Sequence, residues 1–82
     1  MIRHVKYQVL VSLKNEVLDP EAKTIQEVLS KSGFASLKDV HISKRYEIEI
    51  DAPESEAEKM AHAIAEGYLS NPVSQSFRIQ RI

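Results

Sequence analysis

The sequence predicts an α+β domain with the element order βαββαβ, in which two helices cover one face of a four-stranded antiparallel sheet. Four segments alternate apolar and polar residues with the period of two that is typical of half-buried strands. Two longer segments repeat apolar residues at the spacing of an amphipathic helix. We expect residues 1–82 to form one domain without a linker.

The first half of this order is a strand, a loop and a helix. Apolar residues occupy alternate positions of the strand, at Tyr7, Val9, Val11 and Leu13. Asp19 is a favoured N-cap residue, and Pro20 suits the first helical position, so the helix begins there. It ends at Gly33, the residue type preferred after a helix C-terminus. One side of the helix is apolar, at Ala22, Ile25, Val28 and Leu29.

The second half predicts two strands joined by a tight hairpin, a helix and a last strand. Val40 and Ile42 indicate a short second strand, residues 45–51 a third, and the hairpin lies near Ser43–Lys44. The helix stripe is Ala57, Met60, Ala61, Ile64, Ala65, Tyr68 and Leu69. Asn71-Pro72 ends that helix, and the last strand spans 73–80. Right-handed crossovers then produce a ferredoxin-like two-layer sandwich, with strands one and three central.

One sheet face carries no helix in this arrangement, and we call it the open face. Its residues are mostly polar: Lys6, Gln8, Leu10, Ser12, Glu47, Glu49, Arg78 and Gln80. Antiparallel sheets tolerate a solvated face, so this surface is either solvated or a contact with another subunit. The two edge strands also offer unpaired backbone groups to another chain.

Composition excludes several functional classes. The chain has no cysteine, which excludes disulfides and thiolate chemistry. A net charge of −1, without aromatic residues on the open face, argues against nucleic-acid partners. The sequence has no apolar run of about 18 residues, so we expect a cytoplasmic protein that does not span a membrane. His4, His41 and His62 share no face, and the sequence predicts no catalytic, cofactor-binding or metal-binding residue.

Three motifs extend along nearly the whole chain. They are VSLKNEVLDPEAKTI with the SGF after the helix, KDVHISKRYEIEIDA, and LSNPVSQSFRIQRI. In order and spacing they resemble the PurS family, the small subunit of phosphoribosylformylglycinamidine (FGAM) synthase. The most specific parts are Val17–Pro20 and Asn71–Val73. The chain departs from the family pattern at Asn15, Glu21-Ala22, Ser43 and Phe77, where the family has proline, Gln-Gly, glycine and tyrosine.

The resemblance implies a non-catalytic accessory subunit of an ATP-dependent carbon–nitrogen ligase in de novo purine biosynthesis. In such a complex a glutaminase subunit releases ammonia, and a large synthetase subunit uses it to convert FGAR to FGAM. The implied role is to bridge these two subunits, as a homodimer or tetramer, and to assist ammonia transfer. No cofactor is implied in this chain, because ATP and Mg²⁺ are used by the synthetase.

Eight residues are candidates for contact with partners: Lys14, Asn15, Asp19, Lys44, Arg45, Tyr46, Asn71 and Pro72. Asp19 and Pro72 also have a structural interpretation, as a helix cap and a helix stop. Lys14 and Arg45 are the stronger contact candidates, because long cationic side chains on loops have no evident structural role. The alternative function is an ACT-like domain that senses a small amino acid beside the first loop, although the glycine typical of that loop is missing.

Overall fold

The computed structural model describes residues 3–82, and the single-domain prediction extends to residues 1 and 2, which lie outside this range. The elements are β1 (Arg3–Leu13), α1 (Pro20–Lys31), β2 (Ser43–Ala52), α2 (Glu54–Ile64) and β3 (Gln75–Arg81). A π-helical turn, Ala65–Leu69, follows α2 directly. The described strands form an antiparallel sheet in the order β2-β1-β3. The α+β class is therefore confirmed, but the sheet has three strands within the described residues instead of four.

The predicted second strand at Val40 and Ile42 is wrong, because these residues are in irregular structure. The hairpin at Ser43–Lys44 is also wrong, since β2 begins at Ser43 and no turn reverses the chain there. Two-residue hairpins need residues that accept positive φ, and the only described residue with positive φ is Gly33. Without that turn the short segment 40–42 is not held against the edge of β2.

The core lies between the inner face of the sheet and α2. The inner face of β1 carries Val5, Tyr7, Val9 and Val11, all buried. Ala57, Ala61 and Ala65 of the second helix are fully buried against it. Three alanines at a spacing of four residues let the helix backbone approach the strands closely. Alternation in β1 thus predicted its buried face correctly.

The π-helical turn changes which residues of the second helix face the core. The Ser70 N–H donates to the Ala65 carbonyl, five residues earlier, at 3.1 Å. This wider turn keeps Leu69 half-buried in the core cluster and leaves Tyr68 86% exposed. The predicted stripe was wrong at Tyr68 and also at Met60, which is exposed. Such turns inside helices are frequently found at functional sites.

Helix α1 begins and ends as predicted, but apart from the buried Ala22 it stays outside the two core clusters. The Asp19 carboxylate accepts a hydrogen bond from the Ala22 N–H at 3.1 Å, and Gly33 has φ of 106° after the helix. Both core clusters consist of residues from the strands, α2 and the π-helical turn. Ile25 and Val28 of α1 are 38% and 57% exposed. The prediction that two helices pack on one sheet face therefore fails for α1.

The molecule is elongated as a consequence. Its principal extents are 55 × 25 × 13 Å, and its Cα radius of gyration is 16.7 Å. A compact domain of this length has a radius of gyration of about 12 Å. The excess indicates that part of the chain extends away from the three-stranded core.

Candidate functional site

Two loops that carry the family-like motifs meet at one end of the molecule. We call residues 14–19 the first loop and residues 70–74 the Asn71 loop. The Lys14 N–H donates to the Ser74 carbonyl at 2.9 Å, and Lys14 Nζ donates to the Pro72 carbonyl at 2.7 Å. The fold thus brings Lys14 to Asn71 and Pro72, which lie 57 and 58 residues after it in the chain. Lys14 has a structural role in this contact, which sequence reasoning missed.

Asn71 organises its own loop. Its side-chain oxygen accepts from the Val73 N–H at 3.0 Å, and its carbonyl accepts from the Gln75 N–H at 2.7 Å. Its N–H donates to the Gln75 side chain at 2.8 Å. These bonds delay β3 until Gln75 and hold Val73, predicted as a strand residue, 82% exposed on the loop. The loop is therefore a rigid support for an exposed apolar side chain.

A cleft of about 570 Å³ separates the first loop from the irregular segment 39–42 and the start of β2. Asn15 and Asp19 line it on one side, and Asp39 and His41 on the other. His41 Nε2 lies 3.3 Å from an Asp39 carboxylate oxygen, and both side chains are exposed. Asp19 faces this cleft while it caps α1, so its structural interpretation is confirmed. The cleft is half-open and lies between two loops.

Lys44, Arg45 and Tyr46 do not form one surface. They lie in β2, where successive side chains point to opposite faces of the sheet. Lys44 Nζ lies 5.6 Å from the centre of the half-buried Tyr46 ring, on the inner face. Arg45 is on the open face, where its Nε donates to the Gln8 side-chain oxygen at 2.6 Å. Arg45 is therefore a strand residue, as predicted for residues 45–51, and its cross-strand partner shows that the description of it as a loop cation without a structural role was wrong.

The open face carries an ionic cluster that sequence reasoning missed. His4 Nδ1 lies 2.7 Å from an Asp51 carboxylate oxygen, and His4 Nε2 lies 2.8 Å from a Glu49 oxygen. The hydrogen bond between His4 and Asp51 is the largest cause of the raised pKa of His4, and the hydrogen bond to Glu49 is the second. The hydrogen bond from His4 in turn lowers the pKa of Glu49. Lys6 Nζ lies 3.6 Å from the same Glu49 oxygen. The strand register, in which His4 opposes Asp51, is what brings these groups together.

The described residues have no group of three His, Asp or Glu side chains placed to hold a metal ion. Among the same residues, no helix is both long and apolar enough to cross a membrane. Arg3 at the start of β1 and Arg81 at the end of β3 lie at the same end of the sheet, and both pair with one carboxylate, Glu54, at the start of α2. The polar side chains of this region thus hold structural elements together.

Comparison with known proteins places these features in a family. A family model described as PurS, phosphoribosylformylglycinamidine (FGAM) synthase, matches residues 6–82. The chain belongs to the PurS family. The match includes the first loop, the Asn71 loop, β1 from residue 6 onward, and all of β2 and β3. The resemblance predicted from the sequence motifs is confirmed.

Curated relatives in the PurS family are of similar length. The phosphoribosylformylglycinamidine synthase subunit PurS of Mycobacterium leprae is 37% identical over 71 residues, which cover 87% of this chain and 87% of that protein. The corresponding Bacillus subtilis subunit is 31% identical over 75 residues, 92% of this chain and 89% of that protein. The chain therefore spans most of each PurS relative.

Solved PurS structures share the fold. The crystal structure of Methanocaldococcus jannaschii PurS, described as one of the subunits of formylglycinamide ribonucleotide amidotransferase, has a TM-score of 0.84 and 31% identity. It covers 95% of this chain and 95% of that one. A chain in the structure of PurLQS from Thermotoga maritima has a TM-score of 0.89 and 23% identity, over 98% and 99% of the two chains. At that identity the Thermotoga chain supports the fold alone.

Proposed function

We propose that this PurS chain is a non-catalytic accessory subunit of FGAM synthase in de novo purine biosynthesis. It bridges the glutaminase and the large synthetase and assists the transfer of ammonia, in the cytoplasm. ATP, Mg²⁺ and glutamine are used by those partners. The observation that carries the proposal is the family match across residues 6–82, together with relatives of similar length that bear the subunit name. The ACT-like alternative is not favoured by this match.

The surface formed by the first loop and the Asn71 loop is the proposed contact with a larger subunit. Lys14 ties the two loops together, so the surface is built before a partner arrives. Val73 is exposed within this surface, and Tyr68 is exposed two residues before the Asn71 loop; each is held outward by a specific backbone arrangement. Exposed aromatic side chains on rigid supports are typical centres of binding energy, because little conformational freedom is lost on binding.

We also propose that the chain forms a homodimer, which can associate further into a tetramer. The exposed apolar residues of α1 and the extended shape support a dimer, because a short chain with an unburied helix gains stability from a partner. Light scattering during size-exclusion chromatography should give a mass near twice 9.3 kDa. A mass of one chain at micromolar concentration would contradict the dimer.

Reconstitution with the cognate glutaminase and synthetase tests the accessory role. We expect glutamine-dependent FGAM synthesis to require this chain and ammonia-dependent synthesis by the synthetase to proceed without it. Equal glutamine-dependent rates with and without the chain would overturn the proposal.

A surface variant tests the loop contact in the same assay. Val73→Asp places a charge at the exposed centre of the proposed surface, so we expect lower glutamine-dependent activity with unchanged ammonia-dependent activity. Ser76→Asp, at an exposed position of β3, is the matched control. If the two variants have the same glutamine-dependent activity, the larger subunits do not contact this surface.

A further inference from the structure

Ser70 joins the π-helical turn to the rest of the Asn71 loop. It is the first residue after the turn, and its backbone is extended, with φ of −127° and ψ of 154°. Its side-chain hydroxyl donates to the Ala65 carbonyl at 2.8 Å, and its N–H donates to the same oxygen at 3.1 Å. A carbonyl oxygen has two lone pairs, so this one residue satisfies both. Each bond spans five residues, and the two bonds together hold the chain at the wider π-helical spacing.

The width of this turn sets the direction of the Tyr68 side chain. Ala65 is fully buried and marks the side of the helix that faces the sheet. Three residues of a regular α-helix turn the chain by about 300°, which would place Tyr68 only about 60° from Ala65 around the helix axis. The wider turn carries Tyr68 further from the core side, and its side chain is 86% exposed. The π-helical geometry therefore puts this ring at the surface.

The core anchors both sides of the turn but leaves its width to Ser70. Ala65 and the half-buried Leu69 pack in the core cluster that contains Val9 and Val11. Because these two residues are anchored, a change in the width of the turn must be taken up by the residues that lie between and after them, and Tyr68 is one of these. Of the side-chain hydrogen bonds within residues 3–82, the bond from Ser70 is the only one made to the turn.

We propose that Ser70 is a positioning residue, whose hydroxyl holds the π-helical turn at the width that presents Tyr68 to a larger subunit of FGAM synthase. The exposed ring packs into an apolar pocket of that subunit, next to Val73, which the Asn71 loop holds outward. A ring that is already fixed in its bound direction loses little conformational freedom on binding. The inference rests on the proposed accessory function and names the residue that sets the geometry of its partner contact.

Titration of the chain against fixed amounts of glutaminase and synthetase tests this role. For Ser70→Ala we expect the chain concentration at half-maximal glutamine-dependent activity to rise about fivefold, as for one lost neutral hydrogen bond, with unchanged maximal activity. Ser70→Thr keeps a hydroxyl on an extended residue and should behave as the unchanged chain. Ser32→Ala is the matched control, because the Ser32 hydroxyl donates to the Val28 carbonyl at 2.7 Å at the end of α1. Equal half-maximal concentrations for Ser70→Ala and Ser32→Ala would overturn the proposal.

Nitration by tetranitromethane measures the exposure of the ring without the larger subunits. Tyr7 is buried and Tyr46 is half-buried, and mass spectrometry of peptides assigns the nitrated residue. We expect Tyr68 to be nitrated at a lower rate in Ser70→Ala, because a narrower turn moves the ring toward the core, and at an unchanged rate in Ser32→Ala. An unchanged nitration rate of Tyr68 in Ser70→Ala would show that the hydroxyl does not position the ring.

A double variant separates positioning from a loss of stability. We expect Tyr68→Ala to raise the half-maximal concentration at least as much as Ser70→Ala does, and Ser70→Ala to add nothing in the Tyr68→Ala background, because it acts through the ring. Full additivity of the two changes would overturn the proposal. If the unchanged chain does not support glutamine-dependent synthesis, the accessory function fails and the partner contact fails with it, whereas the nitration rates still test whether Ser70 positions the ring.

Discussion

Substitution of Val28 by aspartate should dissociate the dimer without unfolding the chain. Val28 is 57% exposed in the single chain, so its side chain still has more than half of its surface to bury. Full burial of a valine contributes about 1.5 kcal/mol, and roughly half of this is gained when the partner covers α1. A symmetric dimer makes this contact twice, so without the two valines the free energy of dimerisation is weaker by about 1.7 kcal/mol. This corresponds to a dissociation constant roughly 20-fold higher.

The new carboxylate adds to this loss, because a charge without a partner would be buried against an apolar surface. We therefore expect the dissociation constant of Val28→Asp to rise by at least about 100-fold. Sedimentation equilibrium over a range of chain concentrations measures it, and circular dichroism reports whether the helices are retained. Lys23→Asp, at an exposed position of the same helix, is the control and should remain dimeric. A Val28→Asp dimer as tight as the control would refute the burial of α1 by a second copy.

Three further predictions concern the fold and its ionic cluster. The bonds of His4 stabilise the fold most between pH 4.5 and 6.5, the ordinary pKa values of Glu49 and His4, because the folded pKa of His4 is raised and that of Glu49 is lowered. This stability is lost as pH rises through the raised pKa of His4. In urea titrations we therefore expect His4→Gln to lower the free energy of unfolding near pH 6 and to change it little well above the raised pKa. An equal change in the free energy of unfolding at the two pH values would contradict the cluster. Asp19→Ala removes the cap of α1 and should cost about 1 kcal/mol of unfolding free energy, whereas Asp19→Asn should retain most of it. Ala61→Leu adds volume where the helix touches the sheet and should cost about 1–3 kcal/mol, while Ala63→Leu on the exposed side should cost little; similar melting temperatures for the two would refute the close helix packing.

The sequence was sufficient to predict those features of the fold that depend on only a few neighbouring residues. The alternation of β1 identified its buried side, and Asp19, Pro20 and Gly33 set the limits of α1, because capping and backbone preferences act within a few residues. The family motifs were also readable from the chain itself, and they led to the correct family. The absence of cysteine was equally a property of the sequence.

The tertiary structure decided where those elements meet. The alternation at Val40 and Ile42 did not produce a strand, because a strand forms only where it can pair with a sheet edge, and within the described residues this segment pairs with none. The His4 cluster and the bond from Lys14 to Pro72 depend on strand register and on loop placement across 45 or more residues, which no local pattern contains. The helical periodicity predicted that Tyr68 is buried in the core, but the π-helical turn rotates it to the surface, where it is exposed. Helix α1 was correct as a helix and wrong as a core element, because burial depends on what the rest of the molecule brings to its apolar side.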